Sequence, residues 1–164
     1  MTAQSETKPN CPRFIVCEDG TEYLERFERF LGADFEFIPA GDYATLLTQV
    51  DVSAPISGIL LDLDFRRTDP ARLVNEHGEA VGHVGKESLA LHIGNQGLFI
   101  LSSLRERRIL LPVLLFADID DTQQCEYLKR TFAPLELVPS HLGMLELKGQ
   151  LARFANAANP DSCP

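Results

Sequence analysis

The sequence predicts an α/β domain: a five-stranded parallel sheet, doubly wound, with an insertion after the third strand. Three observations carry this. Short apolar runs alternate five times with stretches of helical period. Most of these runs are apolar throughout rather than at alternate positions, as in strands covered on both faces. Acidic residues, Glu18, Asp19 and Asp62, stand at the ends of the first and third runs. Uninterrupted β-α alternation places helices on both faces of a parallel sheet, with right-handed connections. Ligands in such sheets bind at the carboxyl ends of the strands.

The first strand is Arg13–Cys17, R-F-I-V-C, followed by an acidic pair and Gly20. Residues 21–31 form a helix, with Tyr23, Leu24, Phe27, Phe30 and Leu31 on one face and Gly32 as its stop. Residues 34–38 alternate, with Phe35 and Phe37 on one side, as in a strand near a sheet edge. Residues 41–50 put Tyr43, Leu46, Leu47 and Val50 at helical spacing. Residues 57–61, S-G-I-L-L, make the third strand, ending at Asp62.

Residues 65–88 break the regularity. They are polar, rich in charge and punctuated by Gly78, Gly82 and Gly85, and read as a β-hairpin or ordered loop inserted before the crossover helix. A crossover needs only about a dozen residues, so this connection is long, and long loops in compact domains are usually functional or disordered. It is expected to be a recognition element, or else a tolerated surface insertion. The crossover helix spans residues 96–108, and its basic end, Arg105 to Arg108, reads as a solvated helix terminus. Residues 110–116 form the fourth strand. Residues 120–132 form a helix that Asp120 or Asp121 can cap. Leu135–Val138 is the short fifth strand. Ser140 can cap a last helix with Met144, Leu147, Leu151 and Phe154 on one face. Residues 1–12 read as a flexible leader and 157–164 as a flexible tail, leaving the domain at 13–156.

The chain has 164 residues, enough for one domain. Its formal net charge of −9 argues against binding a phosphate backbone, which needs concentrated Lys and Arg. No apolar run reaches the roughly 18 residues of a membrane span, and the polar N-terminus is no signal peptide. The four cysteines show no metal-ligand spacing, and Cys17 reads as a buried thiol. A reducing, cytoplasmic setting is the expectation.

Glu18, Asp19 and Asp62 at one sheet edge make a hard-oxygen site. Mg²⁺ takes one or two carboxylates together with waters and phosphate oxygens, and an aspartate beside such an ion can attack phosphorus. The alternative is that Glu18 and Asp19 cap the following helix, where carboxylates are favoured on electrostatic grounds, and that Asp62 and Asp64 are loop carboxylates.

F-I-V-C-E-D-G (residues 14–20), G-I-L-L-D-L-D (58–64), L-P-V-L-L-F-A (111–117) and V-P (138–139) together resemble the receiver domains of response regulators. The resemblance covers residues 13–154 in order, apart from the insertion. It implies a receiver-like, flavodoxin-like sheet in the order 2-1-3-4-5, with Asp62 as the phosphoacceptor candidate. It also implies Glu18, Asp19 and Asp62 as ligands of a weakly bound Mg²⁺. The pattern departs at three positions. Ala117 stands where the family ends its fourth strand in a hydroxyl residue, Val138 where it carries lysine, and Leu135 where it carries the aromatic that senses activation. A hydrogen bond to a charged group contributes roughly 1.5–3 kcal/mol; without these partners phosphorylation has little to couple to. The departures resemble those of pseudo-receivers, which work as interaction modules rather than enzymes.

The expectation is therefore a protein–protein interaction module whose phosphorylation at Asp62 is in doubt. Its expected partners are other signalling proteins, a histidine kinase among them; a homodimer stays open, and neither nucleic acid nor membrane is expected. One alternative is a phosphorylatable single-domain regulator using Asp62 with Mg²⁺, in which His141 could face the phosphoryl group. Another is a phosphatase, because Asp62 and Asp64 resemble the D-x-D pair of haloacid-dehalogenase-type enzymes. In that reading Lys129 and Asp120–Asp121 are loose candidates for the remaining groups.

Overall fold

Five short strands pair in parallel: β1 Arg13–Cys17, β2 Glu36–Ala40, β3 Gly58–Asp62, β4 Val113–Phe116 and β5 Leu135–Val138, in the order β2-β1-β3-β4-β5. This is the expected order. A computed structural model of the chain describes residues 11–53, 55–82 and 84–158. Most of the leader (1–10) and of the tail (159–164) lies outside the described residues. Among the described residues six α-helices complete the fold: α1 Glu22–Leu31, α2 Tyr43–Val52, α3 Lys86–Gly94, α4 Gln96–Glu106, α5 Thr122–Thr131 and α6 Met144–Ala158.

Side chains alternate across a strand, so each apolar run feeds two cores. Ile15, Cys17, Ile59, Leu61, Val113 and Leu115 pack on one face with Leu46 of α2, Ile100, Leu101 and Leu104 of α4, and Leu128 of α5. Phe14, Val16, Leu60, Leu114 and Phe116 pack on the other with Phe27 and Leu31 of α1 and Leu147 and Leu151 of α6. The sheet is covered on both sides, which is why its central strands are apolar at consecutive positions. Cys17 is fully buried, and burial pushes its thiol well above the usual range. Among the described residues no helix is long and apolar enough to cross a membrane.

Several elements sit differently from expectation. The second strand runs from Glu36 to Ala40, two residues later than the alternation of Phe35 and Phe37 suggests, and so includes Pro39. The Glu36 amide donates to Pro12 and the Ala40 carbonyl accepts from Glu18, so these even-numbered positions face β1. Pro39 faces outward on an edge strand, where no donor is needed. The fourth strand begins at Val113, because Leu110 to Pro112 form a lead-in whose Leu111 carbonyl accepts from Arg105. Arg105 is no solvated helix end. It is half-buried and also donates to the carbonyls of Ile109, Phe132 and Pro134, holding the entries to β4 and β5. Asp121, not Asp120, caps α5 through the amides of Gln123 and Gln124. Ser140 does not cap the last helix, which begins four residues later at Met144.

The 65–88 stretch is docked rather than projecting. It holds a short 3₁₀ turn, Pro70–Arg72, and a single antiparallel bridge between Val74 and Ala80; its final residues, from Lys86, already belong to α3. Phe65 and Leu73 are fully buried and Val74 nearly so, all three within the core under α2 and α4. The Gln96 side chain accepts from the Val74 amide and donates to its carbonyl. Gly78, at φ +77°, lets the turn close against the hydrogen-bonded pair Tyr43 and Ser103, where a Cβ would have no room.

Candidate functional site

Cys17 of β1 and Leu61 of β3 are in register, so Glu18 and Asp62 follow side by side at the carboxyl edge of the sheet. Asp62 pairs with Phe116 and Phe116 with Val138, which brings Ala117, Asp118, Val138 and Ser140 to the same edge. The sheet order reverses between β1 and β3, the place where open α/β sheets form their ligand crevice. The expected site residues therefore do share one edge, but their oxygens are turned to partners the sequence did not disclose.

Glu18 is buried, and its carboxylate accepts from the amides of Tyr23 at 3.0 Å and Leu24 at 2.8 Å. These belong to the orphan donors of the first turn of α1, and Thr21 at the cap position makes no side-chain cap of its own. Glu18 is thus the remote cap of α1, as the capping alternative has it. Burial pushes its pKa up despite the two amides.

Asp19 is held by Arg67, from the connection that follows β3. Its oxygens accept the Arg67 backbone amide at 2.5 Å and Nη2 at 3.2 Å, leaving the Asp19 side chain only 4% exposed. The same guanidinium donates to both oxygens of Glu22 in the first turn of α1, at 2.6 and 2.8 Å. The Arg67 hydrogen bonds hold the Glu22 carboxyl down at about 2, and Arg67 itself is shifted above its usual range. Gly20 makes room for this, since a Cβ there would lie 2.2 Å from Arg67 Nη2.

Asp62 is half-buried at the end of β3. Burial, with the negative charges of Asp19 and Glu18, pushes its pKa up to about 6 against the lowering effect of the Leu63 and Asp64 amides. Behind it, Gly97 of α4 donates to the Leu63 carbonyl, and a Cβ on Gly97 would lie 2.2 Å from the Asp62 carbonyl oxygen. Asp64 pairs with Arg66 at 2.8 Å. At β4 and β5 the Ala117 amide donates to the Val138 carbonyl, and Ala117, Val138 and Leu135 are all buried. Beyond them the Asp118 carboxylate accepts from the Ser140 hydroxyl at 2.6 Å and its amide at 3.0 Å, which holds Asp118 below the usual carboxylate range. His141 lies exposed in the turn before α6. Lys129 pairs with Glu136 on β5 at 3.1 Å, and Asp121 is spent on its cap.

The Mg²⁺ implied by the resemblance does not fit this arrangement. Both oxygens of Glu18 and both of Asp19 already face N–H donors, and a guanidinium supplies the positive charge. Among the described residues no three His, Cys, Asp or Glu side chains are placed to hold a metal ion together. Arg67 and Gly20 are the site residues the sequence reading missed. The signal available was R-R directly after D-L-D-F, together with Gly20 directly after the acidic pair.

No protein-family model matches the sequence, and no curated protein sequence is similar to it. Solved structures are similar in fold. The receiver domain of the Francisella response regulator 1452 superposes with a TM-score of 0.64 at 14% identity, over 90% of this chain and 99% of that one. The N-terminal signal receiver domain of a two-component response regulator from Bacteroides fragilis gives 0.61 at 18% identity, over 89% and 98%. A chain described as adenylate cyclase from Rhodopirellula baltica gives 0.57 at 16% identity, over 92% and 91%. The fold is the α/β, flavodoxin-like fold of receiver domains.

Proposed function

Starting from a receiver fold with its acidic edge tied internally, we propose that the chain is a signalling module. It acts mainly through protein–protein contact, and phosphorylation of Asp62 is not its principal switch. The observation that supports this most is the apolar, backbone-paired junction of Ala117 and Val138. A phosphoryl group on Asp62 would add charge beside Glu18 and Asp19 and meet neither a hydroxyl nor a lysine from β4 or β5. A modification that makes no differential contact in two conformations cannot shift their populations.

The partners in this reading are other signalling proteins, among them a histidine kinase, or a second copy of the chain. The net charge of −9 favours a basic or mixed surface on the partner. The contact face is α5, β5 and α6, or the 65–88 connection. A phosphorylatable regulator is the second reading, favoured by the place of Asp62 at the end of β3 beside Glu18 and Asp19. The phosphatase reading loses support, since Lys129 and Asp121 are engaged elsewhere.

The test is amide NMR of the native protein with beryllofluoride and Mg²⁺. The expected result is shifts confined to the loops that carry Asp62 and Asp19. Shifts that extend through Leu135–Val138 into α6 would contradict the reading.

A further inference from the structure

We infer that Arg67 is the resident cation of the acidic edge, and that its guanidinium excludes a divalent metal ion from the space beside Asp19. This goes beyond the contact reading and does not depend on it. It follows from the disagreement between the carboxylates present and the metal their pattern implies.

The first observation is how completely Arg67 uses its partners. One residue contributes its backbone amide and Nη2 to Asp19, and Nη1 and Nη2 to Glu22. The planar fork of a guanidinium matches two carboxylates in a way a lysine ammonium does not. It ties the connection after β3 to the β1–α1 turn across 48 residues of sequence.

The second observation is the space. Gly20 stands between Asp19 and Glu22, and a Cβ on it would come within 2.2 Å of Arg67 Nη2 and 2.6 Å of its Cζ. Gly20 is not in the left-handed region where only glycine is comfortable, since the positive-φ glycines are Gly78 and Gly82. Its missing side chain leaves room for the paired ends of Arg67 and Glu22, since a Cβ would lie 2.2 Å from Glu22 Oε2 as well.

The third is electrostatic. Glu18 and Asp62 follow the in-register pair Cys17 and Leu61 at one sheet edge, and Asp19 is the next residue along. A nearly covered Asp19 among such neighbours needs a counter-charge. Arg67 supplies it from within the chain. A divalent ion would meet like charge and would find the Asp19 oxygens already facing N–H donors, so it enters only as Arg67 leaves. The Arg67 side chain is 57% exposed and the Asp19 side chain only 4%, so departure of the guanidinium costs little apolar burial and uncovers the carboxylate. Phe65 and Leu73 keep the connection after β3 in the core whether or not the guanidinium is paired, so only the Arg67 side chain has to move, and any Mg²⁺ affinity of the native chain is weakened by the cost of displacing it.

The experiment is calorimetric titration of Mg²⁺ into the native protein, Arg67→Gln, Gly20→Ala and the double variant Arg67→Gln/Asp19→Asn, with circular dichroism confirming that each is folded. Arg67→Gln removes the competing charge, whereas Gly20→Ala keeps the charge and closes its space. The expected result is Mg²⁺ affinity at least about tenfold higher in Arg67→Gln than in the native protein. Gly20→Ala should move in the same direction, and the gain should vanish in the double variant. Should Arg67→Gln not fold, Gly20→Ala carries the comparison. Equal affinity in the native protein and both single variants, no binding in either single variant, or a gain that survives Asp19→Asn would overturn the inference.

Discussion

The Ala117 amide donates to the Val138 carbonyl at 2.9 Å, and both side chains are buried, Val138 to 2% exposure. The two positions at which the resemblance implies a hydroxyl and an ammonium are thus closed into the core. Val138 sits with Leu114, Phe116, Leu142 and Leu147. Lysine there would bring an ammonium among apolar groups. Val138→Lys should cost roughly 2–4 kcal/mol, whereas the apolar control Val138→Ile should cost less than about 1.5 kcal/mol. Urea melts decide it, and a Val138→Lys protein as stable as the native one would show that this edge is open to a charged side chain.

Asp62 sets a pH dependence of stability. Its carboxyl rises from an ordinary 3.8 to about 6 on folding, chiefly through burial. The folded state therefore holds this proton more tightly than the unfolded chain. The ionised group costs stability above pH 6, and the cost fades as pH falls from about 6 towards 4. Glu18, also raised by burial, acts in the same direction. Glu22 runs the other way, since its pairing with Arg67 is lost only as pH drops from 4.5 towards about 2. Allowing for partial solvent exposure, Asp62→Asn should stabilise the protein at neutral pH by on the order of 1–2 kcal/mol. It should also flatten the profile between about pH 4 and 6. Melts across that range test it; a destabilised Asp62→Asn protein would mean the ionised carboxylate is welcome where it stands.

The connection after β3 is part of the core. Leu73 is completely buried in the cluster that contains Leu46 and Leu101. Leu73→Ala should cost about 2–5 kcal/mol, as buried leucines do. Replacing residues 67–85 by a short Gly-Ser bridge should strip that core and yield a chain without a cooperative melt. A deletion variant that melts cooperatively near the native temperature would show that the segment is only appended.

The strands were readable because burial on both faces makes them apolar at consecutive positions, as in Ile59 to Leu61. The second strand was displaced because Phe35 and Phe37 alternate and both rings are buried, although Phe35 precedes the strand: its amide closes the turn after α1 on the Leu31 carbonyl while its ring packs against Phe14 and Phe37. The helix α3 escaped notice because none of its residues is fully buried and its apolar face is as short as Leu89 and Ile93, which pack partly against the core. Arg67 carried only the faint signal of R-R after D-L-D-F, and its partners were not legible beside it, since Asp19 and Glu22 lie 48 and 45 residues earlier. Leu73 and Val74 look like loop residues until the Gln96 amide and the Gly78 turn hold them against α2 and α4. The three carboxylates were legible as a set at one sheet edge; the donors that occupy them were not.

In the proposed reading Asp62 does not switch the domain. The most direct test is the affinity for a captured partner protein of the native chain and of Asp62→Ala, each with and without beryllofluoride. The analogue should change native affinity by less than about tenfold, or 1.4 kcal/mol, and Asp62→Ala should bind as the native chain does. A change of tenfold or more in the native protein that disappears in Asp62→Ala would contradict it and make the domain a working phosphoswitch.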